Sequence, residues 1–257
     1  MKLPAALLAV LISAGPAFAA DAHATLDAAR QAVEKADFRA TGHLVRIDPA
    51  GARTSFPITV KARWFPGVLH ILVELAPSGD SAAKRAQALH VLLELHPGGP
   101  SSIRIAHPGD KALTVLPVDQ WSDGVEGSGF SFEDFLEGQL FWSGQAVTEH
   151  VKYGARDCDL VKSTPGPADK SHYAEVRTWL DRGIAFPVYV EKAVKASAIT
   201  KEYTYFGLRQ EGGIWSASQI EEKNHGQPGS TLLIIDRGSA KANLTLGDFG
   251  PERIVSF

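Results

Sequence analysis

Hydrophobic positions change their spacing early in this chain, from the period of a helix to that of strands. Over residues 21–37, Leu26, Ala29, Val33 and Ala36 recur at helical spacing, with charged residues on the opposite side. This pattern predicts an amphipathic helix. After it, apolar residues recur at every second position, which is typical of half-buried strands.

Two early strands carry the clearest alternation. The first ends at the turn signal Pro66-Gly67, and the second covers residues 68–75. Because side chains alternate between the two faces of a strand, the apolar residues of each strand share one face. We hypothesise that these faces line an apolar groove for a ligand. The pattern alone does not separate a groove from ordinary core packing, since an inward-facing strand has the same sequence in both. The candidate lining residues are Phe56, Ile58, Val60, Trp64, Leu69, Ile71 and Val73.

Turn signals divide the rest of the chain into further strands. Their spacing of roughly 10 to 14 residues is that of an antiparallel meander rather than of alternating strands and helices. Residues 131–138 depart from the pattern and predict a short helix capped by Ser131. Residues 81–88 fit either a helical turn or a loop. Strands are predicted at residues 89–95, 102–106, 150–153, 157–162, 172–181, 186–194, 199–208, 214–222 and 231–236.

The amino terminus has the layout of a secretory signal peptide. Lys2 is followed by an apolar stretch over residues 3–14, a Gly15-Pro16 break and the small-x-small site Ala17-Phe18-Ala19. A membrane anchor is the alternative, but the stretch is shorter than the about 20 apolar residues that span a bilayer. The pattern therefore predicts a signal peptide over residues 1–19, a single domain over residues 20–257, and a periplasmic protein.

Composition excludes several classes of partner and chemistry. The chain has 26 basic and 29 acidic residues and no basic run, which argues against nucleic acid as a partner. Cys158 is the only cysteine, so no disulfide can form within the chain. Its neighbours Asp157 and Asp159 disfavour a thiolate, so we expect Cys158 to be buried and to play no catalytic part.

The search for catalytic and metal-binding motifs is negative. No nucleophile elbow, zinc motif, phosphate-binding loop or dinucleotide fingerprint occurs, and no two of the nine histidines lie four residues apart on a predicted helix. We therefore expect no enzyme activity, no metal and no cofactor. An enzyme with an unrecognised site remains the alternative. Glu221 and Glu222 are most simply interpreted as a solvated strand end.

From Phe130 onward the chain resembles the LolA-like outer-membrane lipoprotein-sorting family. The resemblance lies in the order of several short motifs and covers about half of the chain that follows the signal peptide. The segment of residues 192–200 departs from the family, since its usual hairpin turn is not clear there. The matching elements are Phe130-Ser131-Phe132-Glu133-Asp134-Phe135, Tyr153-Gly154, Cys158-Asp159-Leu160, Pro165, Tyr173, Trp179-Leu180-Asp181, Pro187, Ile214-Trp215 and Gly229-Ser230-Thr231-Leu232-Leu233.

The resemblance implies a mainly β fold, with an unclosed antiparallel half-barrel of about eleven strands. An N-terminal helix and short helices would cover its concave face. It implies a monomeric periplasmic carrier that binds lipoprotein acyl chains or other lipids in the apolar groove for transfer toward the outer membrane. A non-enzymatic adaptor subunit of an inner-membrane transporter, either of the RND/MMPL type or lipoprotein-releasing, is the alternative that it leaves open.

Overall fold

The structure, a computed structural model, describes residues 16–76 and 87–257, with side chains from residue 24 onward. The predicted signal peptide lies largely outside the described residues, as does most of the 81–88 segment. The helices are α1 (Pro16–Glu34) and α2 (Pro251–Ile254). The strands are β1 (Asp37–Ile47), β2 (Arg53–Phe65), β3 (Val68–Leu75), β4 (Leu89–Leu95), β5 (Ser102–Ala106), β6 (Thr114–Val115), β7 (Gly144–Tyr153), β8 (Arg156–Thr164), β9 (Tyr173–Asp181), β10 (Phe186–Val194), β11 (Thr200–Phe206), β12 (Arg209–Glu211), β13 (Ile214–Ser216), β14 (Gln219–Asn224) and β15 (Ser230–Ser239).

Thirteen strands form one antiparallel sheet in the order β6-β5-β4-β3-β2-β1-β15-β14-β11-β10-β9-β8-β7. Among the described residues its end strands β6 and β7 do not pair, so the sheet is open rather than closed into a barrel. The predicted mainly β, unclosed antiparallel fold is confirmed. The sheet has thirteen strands where about eleven were expected, and β12 and β13 form a separate two-stranded sheet.

Strands with strong alternation and clear turn signals occur where the sequence predicts them. The bounds of β3, β4, β5 and β10 match the predicted segments. Other bounds are corrected. Helix α1 covers residues 16–34 rather than 21–37, and the predicted strand over residues 214–222 is divided into β13 and β14.

Strand β1, which lies between β2 and β15, was not predicted. Its inward positions include Ala40 and Gly42, whose small side chains weaken the alternation that a sequence pattern can detect. The structure requires a small residue there. A Cβ at Gly42 would overlap the carbonyl oxygen of Ile234, at the point where the register between β1 and β15 shifts. The alternation of apolar residues is therefore weak in β1, because its close approach to β15 requires small residues.

Apolar residues cover both faces of the sheet. On the inner face, strand residues such as Leu44 and Ile71 pack against Trp121, Phe130 and Leu136 of the covering segment, which we define as residues 116–142. On the outer face, β3 and β4 pack against the C-terminal residues 242–255. Helix α1 lies against the end of the inner face formed by β8 and β9. This arrangement leaves space between α1, the covering segment and the middle strands.

The covering segment contains four short 3-10 helices. They span Val118–Gln120, Val125–Gly127, Phe132–Phe135 and Gly138–Phe141. The third is the short helix predicted from residues 131–138. It begins after Ser131, whose N–H and hydroxyl both donate to the Asp134 carboxylate, at 2.7 and 2.8 Å. The predicted N-terminal boundary is thus confirmed.

Candidate functional site

A cavity of about 300 Å³ lies between the inner face, α1 and the covering segment. Its deep end is buried, at Asp134 and Tyr203. Its other end is exposed, at Arg209 and Glu211 on β12, and we call this end the mouth. Most of the wall between the two ends is apolar. The cavity is therefore a largely apolar space that opens to solvent at the mouth.

Helix α1 contributes to this wall through small residues. Leu26 and Ala29 anchor the helix by packing on Val161 and Leu180 of the sheet. Further along, α1 passes over the cavity, where Ala32 is one of the lining residues. Small side chains on this part of the helix leave space that Leu or Phe would fill. The apolar periodicity of α1 predicted its buried face but not this difference between its two halves.

The structure brings all seven predicted groove residues to the inner face, where they belong to one apolar cluster or pack against it. Three of them, Val60, Leu69 and Ile71, line the cavity. Ile58 and Val73 are buried in the core beside it. The remaining two pack against that core, and Trp64 contacts Phe141 of the covering segment at 5.5 Å between ring centroids. Alternation therefore grouped the residues by face without separating those that line the cavity.

Residues from other elements complete the lining and were missed. They come from α1, the covering segment and the β11 to β13 region, which are distant in sequence from β2 and β3. No local pattern brings such segments together, because only the tertiary fold places them around one space. The missed residues include Phe135, Leu136, Tyr205, Arg209, Ile214 and Trp215.

The deep end of the cavity holds a buried ionic cluster centred on Asp134. We call it the Asp134 cluster; its members are Ser131, Asp134, Tyr173, Lys192 and Lys201. The Asp134 side chain has no exposed surface. Lys192 Nζ donates to its Oδ1 at 2.9 Å and the Tyr173 hydroxyl to the same oxygen at 2.6 Å. Lys201 Nζ lies 3.3 Å from Oδ2. The cluster joins the covering segment to β9, β10 and β11.

The electrostatics of this cluster follow from burial and charge. Burial by itself would raise the pKa of Asp134, but Lys192, Lys201 and the Tyr173 hydrogen bond outweigh it and hold that pKa well below its ordinary value. Burial, together with the Asp134 charge, raises the pKa of Tyr173. Asp134 is therefore ionised and Tyr173 neutral at neutral pH. This hydrogen-bonded carboxylate therefore holds the covering segment against the sheet.

Glu222 lies beside this cluster, and the sequence-based interpretation of it as a solvated strand end is wrong. Its side chain is 2% exposed and faces inward on β14, next to β11. A Cβ at Gly129 would overlap its carboxyl group, so the covering segment packs directly on it. Burial raises the pKa of Glu222 from 4.5 to about 7, with nearby Asp134 adding to the rise and Lys201 and Lys192 opposing it. Two adjacent glutamates at a strand end suggest exposure to solvent when only the sequence is considered. Because side chains alternate along a strand, however, the two point to opposite faces of the sheet.

This raised pKa predicts a pH-dependent stability. The native protein keeps the Glu222 proton above pH 4.5 whereas the unfolded chain loses it, so the unfolding free energy falls as pH rises from 4.5 to about 7. The total fall from this group is on the order of 3 kcal/mol. Glu222→Gln should remove this part of the dependence of the unfolding free energy on pH, which urea unfolding at pH 5 to 8 measures. Equal slopes in the variant and wild type would contradict a neutral, buried Glu222.

Cys158 is buried, as predicted, with 1% of its surface exposed. Burial, followed by the charge of Asp181, raises the pKa of its thiol to about 11. A thiol with so high a pKa is a weak nucleophile at neutral pH. Among the described residues, no group of three or more His, Cys, Asp or Glu side chains is arranged to hold a metal ion. Within the same part of the chain, no helix has the length and hydropathy needed to cross a membrane.

Comparison with known proteins supports the fold. A family model described as "Uncharacterized protein" matches residues 108–254. No curated protein matches the chain. The fold is similar to that of an outer membrane lipoprotein-sorting protein domain from Vibrio parahaemolyticus, with a TM-score of 0.75 and 19% identity over 89% of this chain and 97% of that one.

Two further solved structures are similar. A DUF1329 family protein from Desulfovibrio piger gives a TM-score of 0.74 at 12% identity, covering 90% of this chain and 97% of that one. A LolA superfamily protein from Nitrosomonas europaea gives 0.61 at 14% identity, covering 86% and 97%. At these identities the likeness concerns the fold, which is LolA-like.

Proposed function

We propose that this protein, which has a LolA-like fold, is a non-enzymatic periplasmic carrier of acyl chains. The chain belongs to the family whose model, described as "Uncharacterized protein", matches residues 108–254. The cavity holds the acyl chain of a lipoprotein or another lipid during its transfer toward the outer membrane. One observation carries this proposal, namely the apolar cavity between α1, the covering segment and the inner face.

The physical argument rests on the transfer of hydrocarbon out of water. Each methylene buried contributes about 0.8 kcal/mol, so an acyl chain dissolves poorly without an apolar enclosure. Because the sheet is not closed into a barrel, an acyl chain can enter from the side. The covering segment can then exclude water from the bound acyl chain. The solved structure from Vibrio parahaemolyticus, described as a lipoprotein-sorting domain, shares this fold. These points support a carrier more directly than they support an adaptor.

Native mass spectrometry of the protein isolated from its own envelope tests the proposal. We expect a fraction of the molecules to carry a bound lipid that organic extraction removes. In parallel, the delipidated protein should bind a fluorescent acyl probe. A protein that carries no lipid and binds no acyl probe, but co-purifies with an inner-membrane transporter, would instead support the adaptor function.

Periplasmic location gives a separate prediction about the amino terminus. Cleavage after Ala19 or Ala20 should yield a mature protein that begins at Ala20 or Asp21, respectively. Amino-terminal sequencing of the protein from the periplasmic fraction measures this directly, and Ala19→Arg should block processing because small residues are required there. Recovery of an intact Met1 in the membrane fraction would contradict the prediction.

A further inference from the structure

The mouth of the cavity is formed by a hairpin that leaves the main sheet. After β11 the chain turns at Gly207, whose φ of 59° lies in the left-handed region. Strands β12 and β13 then pair with each other and, within the described parts of the chain, with no other strand. Arg209 and Glu211 of β12 lie on the wall of the cavity and are exposed to solvent. Their charges therefore face both the cavity and the water outside it, at the place where a ligand's polar end would lie.

The carboxylates that line the cavity already have hydrogen-bond donors. Asp37 accepts from the backbone N–H groups of Asn243 and Leu244, both at 3.0 Å. Glu211 accepts from the hydroxyl of Ser239 and the N–H of Ala240, at 3.3 and 3.2 Å. Their lone pairs are engaged by the protein itself, which reduces their capacity to bind a cationic ligand.

The two deeper carboxylates are engaged in the same way. Glu137 accepts from the Tyr205 hydroxyl at 2.8 Å. Asp134 is bound by the other members of the Asp134 cluster. The described lining residues include two basic side chains, Lys192 and Arg209, and Lys192 pairs with Asp134. The charges inside the cavity are thus paired with protein groups, and none of them is available to a headgroup.

Arg209 differs from these groups. Among the described residues it has no hydrogen-bond or ion-pair partner. Its Nη2 lies against Gly238, 3.4 Å from where a Cβ would stand. The absence of a side chain at Gly238 leaves space for the guanidinium group beside the cavity wall. A guanidinium presents five donors in a planar fork that matches a carboxylate or phosphate. The unpaired charge at the mouth is therefore suited to an anion.

The size of the cavity limits the apolar part of the ligand. The cavity of about 300 Å³ is at the small end of the roughly 300 to 1,000 Å³ that ligand pockets span, which suits a ligand with one acyl chain.

We propose that the ligand is a single-chain amphiphile with an anionic headgroup, a carboxylate or a phosphate, that pairs with Arg209 at the mouth. The inference rests on the proposed carrier function and narrows its substrate class. The chain occupies the apolar space lined by Val60, Leu69 and Ile71, and the headgroup stays at the solvent-facing end. Charge complementarity at Arg209 then selects among ligands with the same chain.

Displacement of a fluorescent acyl probe by dodecanoate, dodecyl phosphate and 1-dodecanol tests this proposal. These probes share one chain and differ in the headgroup. We expect the wild-type protein to bind both anions about tenfold more tightly than the alcohol. Arg209→Gln should abolish this preference by weakening the binding of both anions about tenfold, and Arg209→Lys should retain part of it. A stronger preference for one anion identifies whether the headgroup is a carboxylate or a phosphate.

Arg237→Gln is the matched control, since Arg237 is also exposed but does not line the cavity. It should leave all three affinities unchanged. Equal binding of the three probes by wild type, or an unchanged preference in Arg209→Gln, would overturn the headgroup inference and leave the carrier function in place. Binding of none of the three would overturn the carrier function itself. Thermal melts of each variant establish that it is folded.

Discussion

Asp134→Asn should lower the free energy of unfolding by about 3 to 5 kcal/mol, although it changes only one atom of a side chain. The substitution keeps the shape of the residue but removes its charge. Lys192 and Lys201, which are directly opposite each other on β10 and β11, would then face one another without the carboxylate between them. Like charges at directly opposed positions destabilise a sheet, and burial increases the cost.

Urea unfolding and hydrogen exchange measure this effect. The exchange of amides in the covering segment should increase most, because Asp134 attaches that segment to the sheet. Asp119→Asn is the control, since Asp119 is an exposed acid of the same segment and its loss should cost less than about 0.5 kcal/mol. Adding Lys192→Met to Asp134→Asn should regain part of the loss by removing one unpaired charge.

An unchanged unfolding free energy in Asp134→Asn would mean that the cluster contributes no net stability. Buried ion pairs can be close to neutral overall when compared with apolar replacements, so the double variant is informative in its own right. If it is more stable than the single variant, the cost lies in the uncompensated lysine. If the two are equally unstable, the loss comes from the hydrogen bonds of Tyr173 and Ser131 to the carboxylate.

The second large effect is expected at Ile71, on the affinity for acyl chains. Ile71 lines the cavity from the middle of β3 and is 6% exposed. Ile71→Glu would place an unpaired carboxyl group against the ligand's hydrocarbon, and should weaken binding of a fluorescent acyl probe by roughly 100-fold or more. Ile71→Thr keeps the branched shape, and its buried hydroxyl should reduce the affinity by about three- to tenfold.

Leu72→Ala provides the matched control for these variants. Leu72 is the next residue of β3, is fully buried, and packs on the opposite face against Leu92 and Phe249. Its truncation should cost about 2 to 5 kcal/mol of stability without changing the affinity for the probe. Acyl binding is compared only among variants that unfold cooperatively. Equal loss of affinity in Leu72→Ala and Ile71→Thr would indicate a general loss of structure rather than a role of the cavity wall.

The sequence predicted the antiparallel strands well where two signals coincided. Strands β3 and β4 combine strict alternation with strong turn residues such as Pro66-Gly67, and their bounds match the prediction. Strand β1 has the same geometry but was missed, because Ala40 and Gly42 occupy inward positions. A close approach between strands requires small residues, and small residues carry little hydrophobic signal.

The polar part of the site was less accessible to sequence reasoning. Lys192 and Lys201 occupy inward positions of neighbouring strands, and this placement could have indicated a buried acid between them. Their register depends on a turn that showed no clear signal. Asp134 lies in the first turn of the short helix predicted from residues 131–138, where its charge suits the N-terminus of a helix. Its second role requires contact with strands about 58 and 67 residues away in the chain, which no local pattern encodes.

The sequence by itself determined most of the strands and the face on which Val60, Leu69 and Ile71 lie, because these depend on alternation along one strand. Its resemblance to the LolA-like family indicated that the sheet is not closed. Only the tertiary structure decided that these three line a cavity while Ile58 and Val73 are packed in the core. It also decided that Glu222 is buried beside two lysines and that Arg209, at the mouth, has no ion-pair partner among the described residues. The physical reason is that burial favours the same apolar residues whether their neighbour is a side chain or a ligand, and that an ionic partner is selected by distance in space rather than by spacing in sequence.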